Sequence, residues 1–476
     1  MNRTLLAFFL LSAAARAGLS QDTLSIEGAV QRGLERNFDI QFQELDESIA
    51  LNNQRLGERA RYPTVSFSLN QNNTIIQRKP ANPFAVPGKN ISDNIGGQLD
   101  LQFVLFNGFA IRLERQRLHE LARLSNGNVL FVIENTIQSI ILSYYAVLLE
   151  RERLNVLHRV MDFSRQQYGY VKLRKELGSA ITFDVLNEQN NYLTDSANYL
   201  LQEMALKSSI RNLNILMNEN LGETYTLTDS LFVESESYIY ADLFSAMTRS
   251  NTNLRNQYIN QQLARTTTEL ARSGLYPSIT FNLGGSGNLD QLNANFRSPT
   301  GDQVQTEVGY AYVNNVPTYP VYNTVNETSF TRQTQKGHSY GAYGNFALRW
   351  TLFSAGQIKT AIENARIQEQ MVHLDSEQLK LLLGNELMLV YDQYDLRQQL
   401  VTIALTRLEA AELNLSLANE RYKNGSISAL DLRIIQQNFR NAALENYAAI
   451  YAVLESKVNL IRLVGGLVSE YSNSEN

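Results

Sequence analysis

Apolar side chains follow two rhythms along this chain. Between Val129 and Met161 they recur at steps of four and three: Ile133, Ile137, Ile140, Tyr144 and Val147, then Leu154 and Met161. That spacing predicts a long helix with a coiled-coil-like seam, which Arg151 and His158 interrupt. A looser version runs through Leu387, Tyr391, Tyr394 and Val401. Elsewhere the period drops to two. Val65, Phe67 and Leu69 alternate with Ser66, Ser68 and Asn70, and Leu99, Leu101, Phe103 and Leu105 with Asp100, Gln102 and the less fitting Val104. Ile279, Phe281 and Leu283 alternate with Thr280 and Asn282, and Phe346, Leu348, Trp350 and Leu352 with Ala347, Arg349 and Thr351. These four segments predict strands with one apolar and one polar face.

The two rhythms occur twice. Residues 106–218 lie over 353–465 without a gap, at a constant offset of 247 that places Phe106 on Phe353, Tyr144 on Tyr391, Gly178 on Gly425 and Asp184 on Asp431. Upstream, Asn37, Tyr62 and Pro63 match Asn251, Tyr276 and Pro277 at an offset of 214, so the second copy carries 33 further residues before Phe353. A repeat of this length is a duplicated domain. All 8 prolines fall within 63–87 and 277–320, leaving the rest free for unbroken helices.

Together these patterns predict an ordered plan. Residues 1–17 read as a signal peptide, with Arg3, an apolar run from Leu5 to Leu11, and the cleavage site Ala15-Arg16-Ala17. Repeat 1 covers 18–218, with helices 25–61, 108–177 and 183–218, strands 63–72 and 97–106, and a tip at 178–184. An acidic linker, 219–236, leads to repeat 2 at 237–465. Its helices are 240–273, 355–424 and 430–464, its strands 277–285 and 343–353, its tip 425–431, and 466–476 is a tail. The window 284–342, rich in Asn, Thr, Tyr and Gly, reads as a long loop. The 70 residues of 108–177 would span roughly 105 Å, about the length of the two shorter helices end to end.

Composition narrows the function. Net charge is −5, which gives no footprint for nucleic acid. There is no cysteine, so the chain is expected to have neither a lipoprotein anchor nor a thiolate metal site. The four histidines are scattered and form no ligand cluster, and no nucleophile motif or phosphate loop is present, so no enzyme, cofactor or metal is expected. No segment after the leader offers the ~18 uninterrupted apolar residues of a membrane helix. The strands are the membrane signal instead: they adjoin helices too long and polar to wrap a compact core, and they are near the 9–11 residues that cross a bilayer. Four strands cannot close a transmembrane barrel, so copies must combine; two would give eight strands and three would give twelve.

Both copies carry Leu-Phe at the end of a strand (Leu105-Phe106, Leu352-Phe353), then a long helix, then a tip with Gly followed six residues later by Asp. The tips are Gly178-Ser179-Ala180-Ile181-Thr182-Phe183-Asp184 and Gly425-Ser426-Ile427-Ser428-Ala429-Leu430-Asp431, the second led by Arg421-Tyr422-Lys423-Asn424. On these marks the chain resembles TolC-type outer-membrane efflux proteins, the outer membrane factor family, over essentially its whole mature length.

The resemblance implies a mixed α+β fold: a homotrimer whose long helices form a periplasmic α-barrel and whose strands form a twelve-stranded β-barrel in outer-membrane lipid. It implies a passive exit duct for efflux or type I secretion, joined by a periplasmic adaptor protein to an inner-membrane pump. It also implies a resting gate at the tips, to which Tyr422 and Asp184 correspond. Asp431 joins them because threefold assembly would gather carboxylates into a cation-attracting ring. Gly178 and Gly425, flanked by Arg174, Lys175, Arg421 and Lys423, are the adaptor-docking candidates. Two positions depart from TolC: Ile427 stands where it has an arginine and Ile434 where it has a second aspartate. The alternative, a soluble periplasmic coiled-coil adaptor, leaves the four matched strands unexplained.

Overall fold

The computed structural model describes residues 23–82, 85–234 and 236–468; the expected signal peptide lies outside the described residues. The elements in order are β1 (Thr23–Leu24), α1 (Ile26–Arg36), α2 (Phe38–Arg59), β2 (Thr64–Arg78), β3 (Gly88–Asn107), α3 (Ala110–Glu176) and α4 (Thr182–Leu216). After these come β4 (Thr226–Leu227), α5 (Tyr240–Ser250), α6 (Thr252–Ser273), β5 (Ser278–Val313), β6 (Val316–Arg349), α7 (Gln357–Lys423) and α8 (Ala429–Leu463). The chain divides into two compact units. One comprises the described residues up to Arg55, Gln116–Thr268 and the described residues from Glu363 on; the other comprises Leu56–Arg115 and Glu269–Ile362.

The first unit is helical. Its main core gathers the 3.5-spaced stripe of α3 (Ile137, Ile140, Tyr144, Leu148) against Leu24, Val30, Leu213 and Met217. Each such side chain contributes about 1.5–3 kcal/mol on burial. One window of α3 is apolar enough to cross a membrane by length and composition, but half of it is buried in this unit. The linker is tied to that core. β1 and β4 pair in parallel. The Tyr144 hydroxyl lies 2.8 Å from the Leu24 carbonyl and 2.5 Å from the Asp229 carboxylate, which also accepts the Ile26 N–H at 3.1 Å. Burial, reinforced by that carboxylate, pushes the Tyr144 hydroxyl well above the ordinary tyrosine range. Arg151, the charge that interrupts the seam, donates to the carbonyls of Leu227 and Asp229.

The single helices expected over 25–61 and 240–273 are each broken in two, at Asn37 and Asn251. Both residues leave helical geometry. The Asn37 side-chain oxygen accepts the N–H of Asp39 at 2.8 Å, and that of Asn251 accepts the N–H of Leu254 at 3.0 Å, so each asparagine starts a new helix. Their amides donate to the last carbonyls of the returning helices, Leu216 at 2.9 Å and Leu463 at 3.0 Å. One side chain thus caps a helix N-terminus and satisfies a helix C-terminus at once.

The second unit carries an antiparallel sheet in the order β2-β3-β5-β6. Register places the apolar positions in rows across it: Val65 beside Leu101 beside Leu283, and Phe103 beside Phe281 beside Phe346. The Phe281 and Phe346 rings lie 4.7 Å apart. A bulge between Val104 and Phe106 leaves Leu105 without a partner on β5 and returns Phe106 to the row of Ile279, while Val104 keeps its place beside Thr280. The rows are exposed at the outer strands, Val65 at 63% and Phe346 at 73%, and partly covered between them at Leu101, Phe103 and Phe281.

The strands outrun the expected 63–72, 97–106, 277–285 and 343–353. The window expected as a loop, 284–342, is instead a hairpin of β5 and β6. It turns at Asn314-Asn315, both at positive φ (53° and 62°), the backbone that a two-residue hairpin turn needs. Asn, Thr and Tyr satisfy a ladder without marking an apolar face, so period two fades where pairing persists. At the other end β6 stops at Arg349, and the Trp350 indole donates to the Leu275 carbonyl at 3.1 Å.

Replacing Asn251 with Ala should remove a cap and orphan a buried carbonyl, costing about 1–2 kcal/mol. Asn251→Asp, which keeps the acceptor only, should fall between. Thermal melts followed at a helix-sensitive wavelength check the order.

Candidate functional site: the helical tips

Each tip is a helix end built the same way. At the end of α3 the Ser179 N–H reaches the Arg174 carbonyl at 2.8 Å and the Gly178 N–H reaches Lys175 at 3.0 Å. At the end of α7 the Ser426 N–H reaches Arg421 at 2.8 Å and the Gly425 N–H reaches Tyr422 at 2.9 Å. This paired closure is a Schellman motif and needs a left-handed residue after the helix. Gly178 and Gly425 supply it at φ 76° and 74°. A methyl added at either would meet nothing within 4 Å, so both glycines face open space.

The aspartates start the returning helices. Asp184 accepts the Ile181 N–H at 3.3 Å. Asp431 accepts the Ser428 N–H at 3.1 Å and its hydroxyl at 2.7 Å, while the Ser428 oxygen accepts the Asp431 N–H at 3.1 Å. That is a reciprocal capping box. The Ser428 hydroxyl, then its N–H, hold the Asp431 carboxyl below the usual carboxylate range.

Tyr422 is nearly buried, packed with Ala418 and Leu432 and bordered by Phe163, Leu415 and Ile427. The Tyr170 ring stands edge-on to it at 6.2 Å, with the Arg174 guanidinium 5.9 Å from the Tyr170 ring. Burial pushes the Tyr422 hydroxyl up; Glu188 and, less, Asp184 add to this, while Arg174 opposes it. The fold therefore brings Tyr422, Asp184 and Arg174 within electrostatic reach. Among the described residues it forms no hydrogen bond between Tyr422 and either aspartate. Arg174 also donates to the Ser179 carbonyl at 3.0 Å, bracing its own turn, and Lys423 pairs with Glu420 at 3.3 Å. Lys175 and Arg421 make no side-chain hydrogen bond or ion pair among the described residues. Ile427 borders the Tyr422 cluster, whereas Ile434 is half exposed.

Sequence reading missed the strongest polar contact behind the tips. Arg433 on α8 grips Asp195 on α4 with both terminal nitrogens, at 2.6 and 3.0 Å. The Ser164 hydroxyl of α3 donates to the same carboxylate, and Gln436 donates to Ser164 at 2.9 Å. Asp195, Ser164 and Gln436 are buried, so this pair joins the two helical hairpins in a dry setting. A signal was available at the offset of 247: Asp195 aligns with Ala442, and Arg433 with Leu186. Removing one partner of such a pair strands a buried charge, at a cost of about 3–5 kcal/mol. Asp195→Ala or Arg433→Ala should therefore lower the urea midpoint strongly, and the double change Asp195→Leu with Arg433→Met should restore most of it.

The family described as outer membrane efflux protein matches residues 243–466. No curated protein matches significantly in sequence. Among solved structures, CusC aligns at 16% identity with a TM-score of 0.68, covering 93% of this chain and 92% of that one. The CmeC outer membrane channel of Campylobacter jejuni aligns at 14% and 0.68, covering 94% and 89%. The open state of the MtrE outer membrane channel of Neisseria gonorrhoeae aligns at 15% and 0.66, covering 93% and 89%. The outer membrane efflux protein family thus matches the second repeat, and over nearly its whole length the chain has the fold of these outer membrane channels.

Proposed function

We propose that three copies of this chain form the exit duct of a tripartite efflux or type I secretion system, a passive conduit whose energy comes from an inner-membrane pump. One observation carries the reading. The sheet exposes rows of Val, Leu and Phe on one face and ends in two strands, β2 and β6, that each pair on one side only among the described residues. Bare strand edges are not tolerated in hydrocarbon. Joining β6 of one copy to β2 of the next removes every edge and turns the apolar rows toward lipid. Three four-stranded sheets supply twelve strands, wide enough for a pore where eight would be filled by side chains. The helical unit serves the periplasm, and the leader directs export. A soluble adaptor would have no use for such a sheet.

In this reading the tips are the gate. Tyr422 is held by aromatic packing, and Asp184 and Asp431 supply anionic charge that threefold symmetry would concentrate. Tyr422→Phe and Asp184→Ala should each raise single-channel conductance in planar bilayers. Unchanged conductance in both variants would remove these residues from the gate.

The same tips are the adaptor contact. Gly178 and Gly425 face open space, and the basic side chains Arg174, Lys175, Arg421 and Lys423 flank them, a surface suited to the tip of an adaptor hairpin. Bulky residues at both glycines should weaken adaptor capture at least tenfold in pull-downs while leaving the trimer intact. Normal capture would place the contact elsewhere.

A further inference from the structure

The repeat lets one helix seam within the chain report on a seam that the single chain leaves open. Inside the chain, α6 lies against α3 through polar and small residues. The Thr252 hydroxyl donates to the Glu134 carboxylate at 2.8 Å, and both are buried. The Asn256 amide donates to Asn128 at 3.0 Å, and its oxygen sits over Gly127, where an added methyl would come within 1.9 Å of it.

Shifted by the two offsets, Thr252 and Asn256 become Phe38 and Phe42 of α2, and Glu134 and Gly127 become Leu381 and Leu374 of α7. All four polar or small positions become large and apolar. All four stand exposed: Phe38 at 57%, Phe42 at 66%, Leu374 at 69% and Leu381 at 75%. Between them, Ile40 is buried as Leu254 is, so the helix faces correspond. Leu45 and Ile49 continue the exposed stripe along α2 at helical spacing.

The grooves repeat the pattern. One groove, of about 320 Å³, has walls from three helices: Glu47 and Gln54 on α2, His119 and Arg123 on α3, Asn256 and Ile259 on α6. Its counterpart, with Gln261 and Arg265 on α6 and Arg366 and His373 on α7, has two walls only among the described residues.

We infer that α2 of a second copy supplies the missing wall, seating Phe38 against Leu381 and Phe42 against Leu374. This rests on the proposed oligomer and fixes the register of its helical seam. The exchange of polar for apolar contacts also keeps the two seams distinct. Were α2 to take the place of α6 on α3, Phe38 would cover the Glu134 carboxylate and Phe42 would collide at Gly127. Burying a carboxylate under an aromatic ring without its hydroxyl partner is unfavourable, so within-chain and between-chain seams cannot trade places.

The chain has no cysteine, so engineered pairs form the only possible disulfides. Oxidation of full-length, detergent-purified protein carrying Phe38→Cys with Leu381→Cys, or Phe42→Cys with Leu374→Cys, should give covalent dimers and trimers on non-reducing gels. The out-of-register pair Phe42→Cys with Leu381→Cys should not, because seven residues of helix displace its partner by about 10 Å. In parallel, Phe42→Asp should weaken self-association at least tenfold at unchanged helicity. Matched pairs that stay uncross-linked in a protein of trimer mass would overturn the seam and leave the oligomer standing, as would Phe42→Asp without effect. Wild-type protein of monomer mass would instead overturn the underlying reading and the seam with it.

Discussion

A strand edge has nowhere to go in hydrocarbon. Each backbone N–H or C=O left bare there costs several kcal/mol, far more than the fraction of a kcal/mol a typical exposed ion pair returns. Among the described residues β2 and β6 each present such an edge, and the apolar rows between them stand exposed or half-exposed. A soluble sheet solves this by covering its face with a helix or a second sheet. Here the rows are uncovered within their own unit. In the proposed assembly, lipid on the face and another chain on each edge would answer both demands together, which is why the duct reading depends on the sheet more than on the helices.

Duplication then does two kinds of work. Where the copies agree, they repeat one structural solution: Asn37 and Asn251 cap one helix while closing another, and Gly178 and Gly425 make the same closure at the tips. Where they differ, the difference marks a contact that only one copy makes. Asp195 and Arg433 stand where the other repeat has Ala442 and Leu186, and they bind each other across the two hairpins. A chain of two halves with one fold, if it assembles in several copies around an axis as proposed, must keep its internal and external seams apart, and side-chain chemistry at matched positions is the available means.

The sequence showed the strands, the long helices and the tips because each rests on a local rule: period two, period 3.5, and glycine at a left-handed turn. It did not show the helix breaks. A lone asparagine amid helix-forming neighbours costs little by propensity, and its reason for breaking the helix lies some 180 to 210 residues away, at Leu216 or Leu463. Nor did it show the length of β5 and β6, whose ladder continues on backbone pairing after the apolar alternation has ended. At the candidate site the aspartates and Tyr422 were legible from spacing and resemblance. The Asp195–Arg433 pair was not, because a charge in a helical stripe looks solvated until another hairpin closes over it.

Asp431 serves its own helix through Ser428, and such a local role is the ordinary explanation for an aspartate three residues past a cap. A cap and a charged ring would compete only if capping consumed the charge. It does the reverse. The hydrogen bonds from Ser428 favour the ionised form, so the folded value lies below the unfolded one. The stabilisation this provides is present above the usual carboxylate range and is lost as pH falls through the lowered value. At neutral pH the carboxylate is therefore both bound and anionic. The geometry that starts α8 also pins a negative charge at a fixed point on the tip, which is what a constriction assembled from repeated copies of one residue requires.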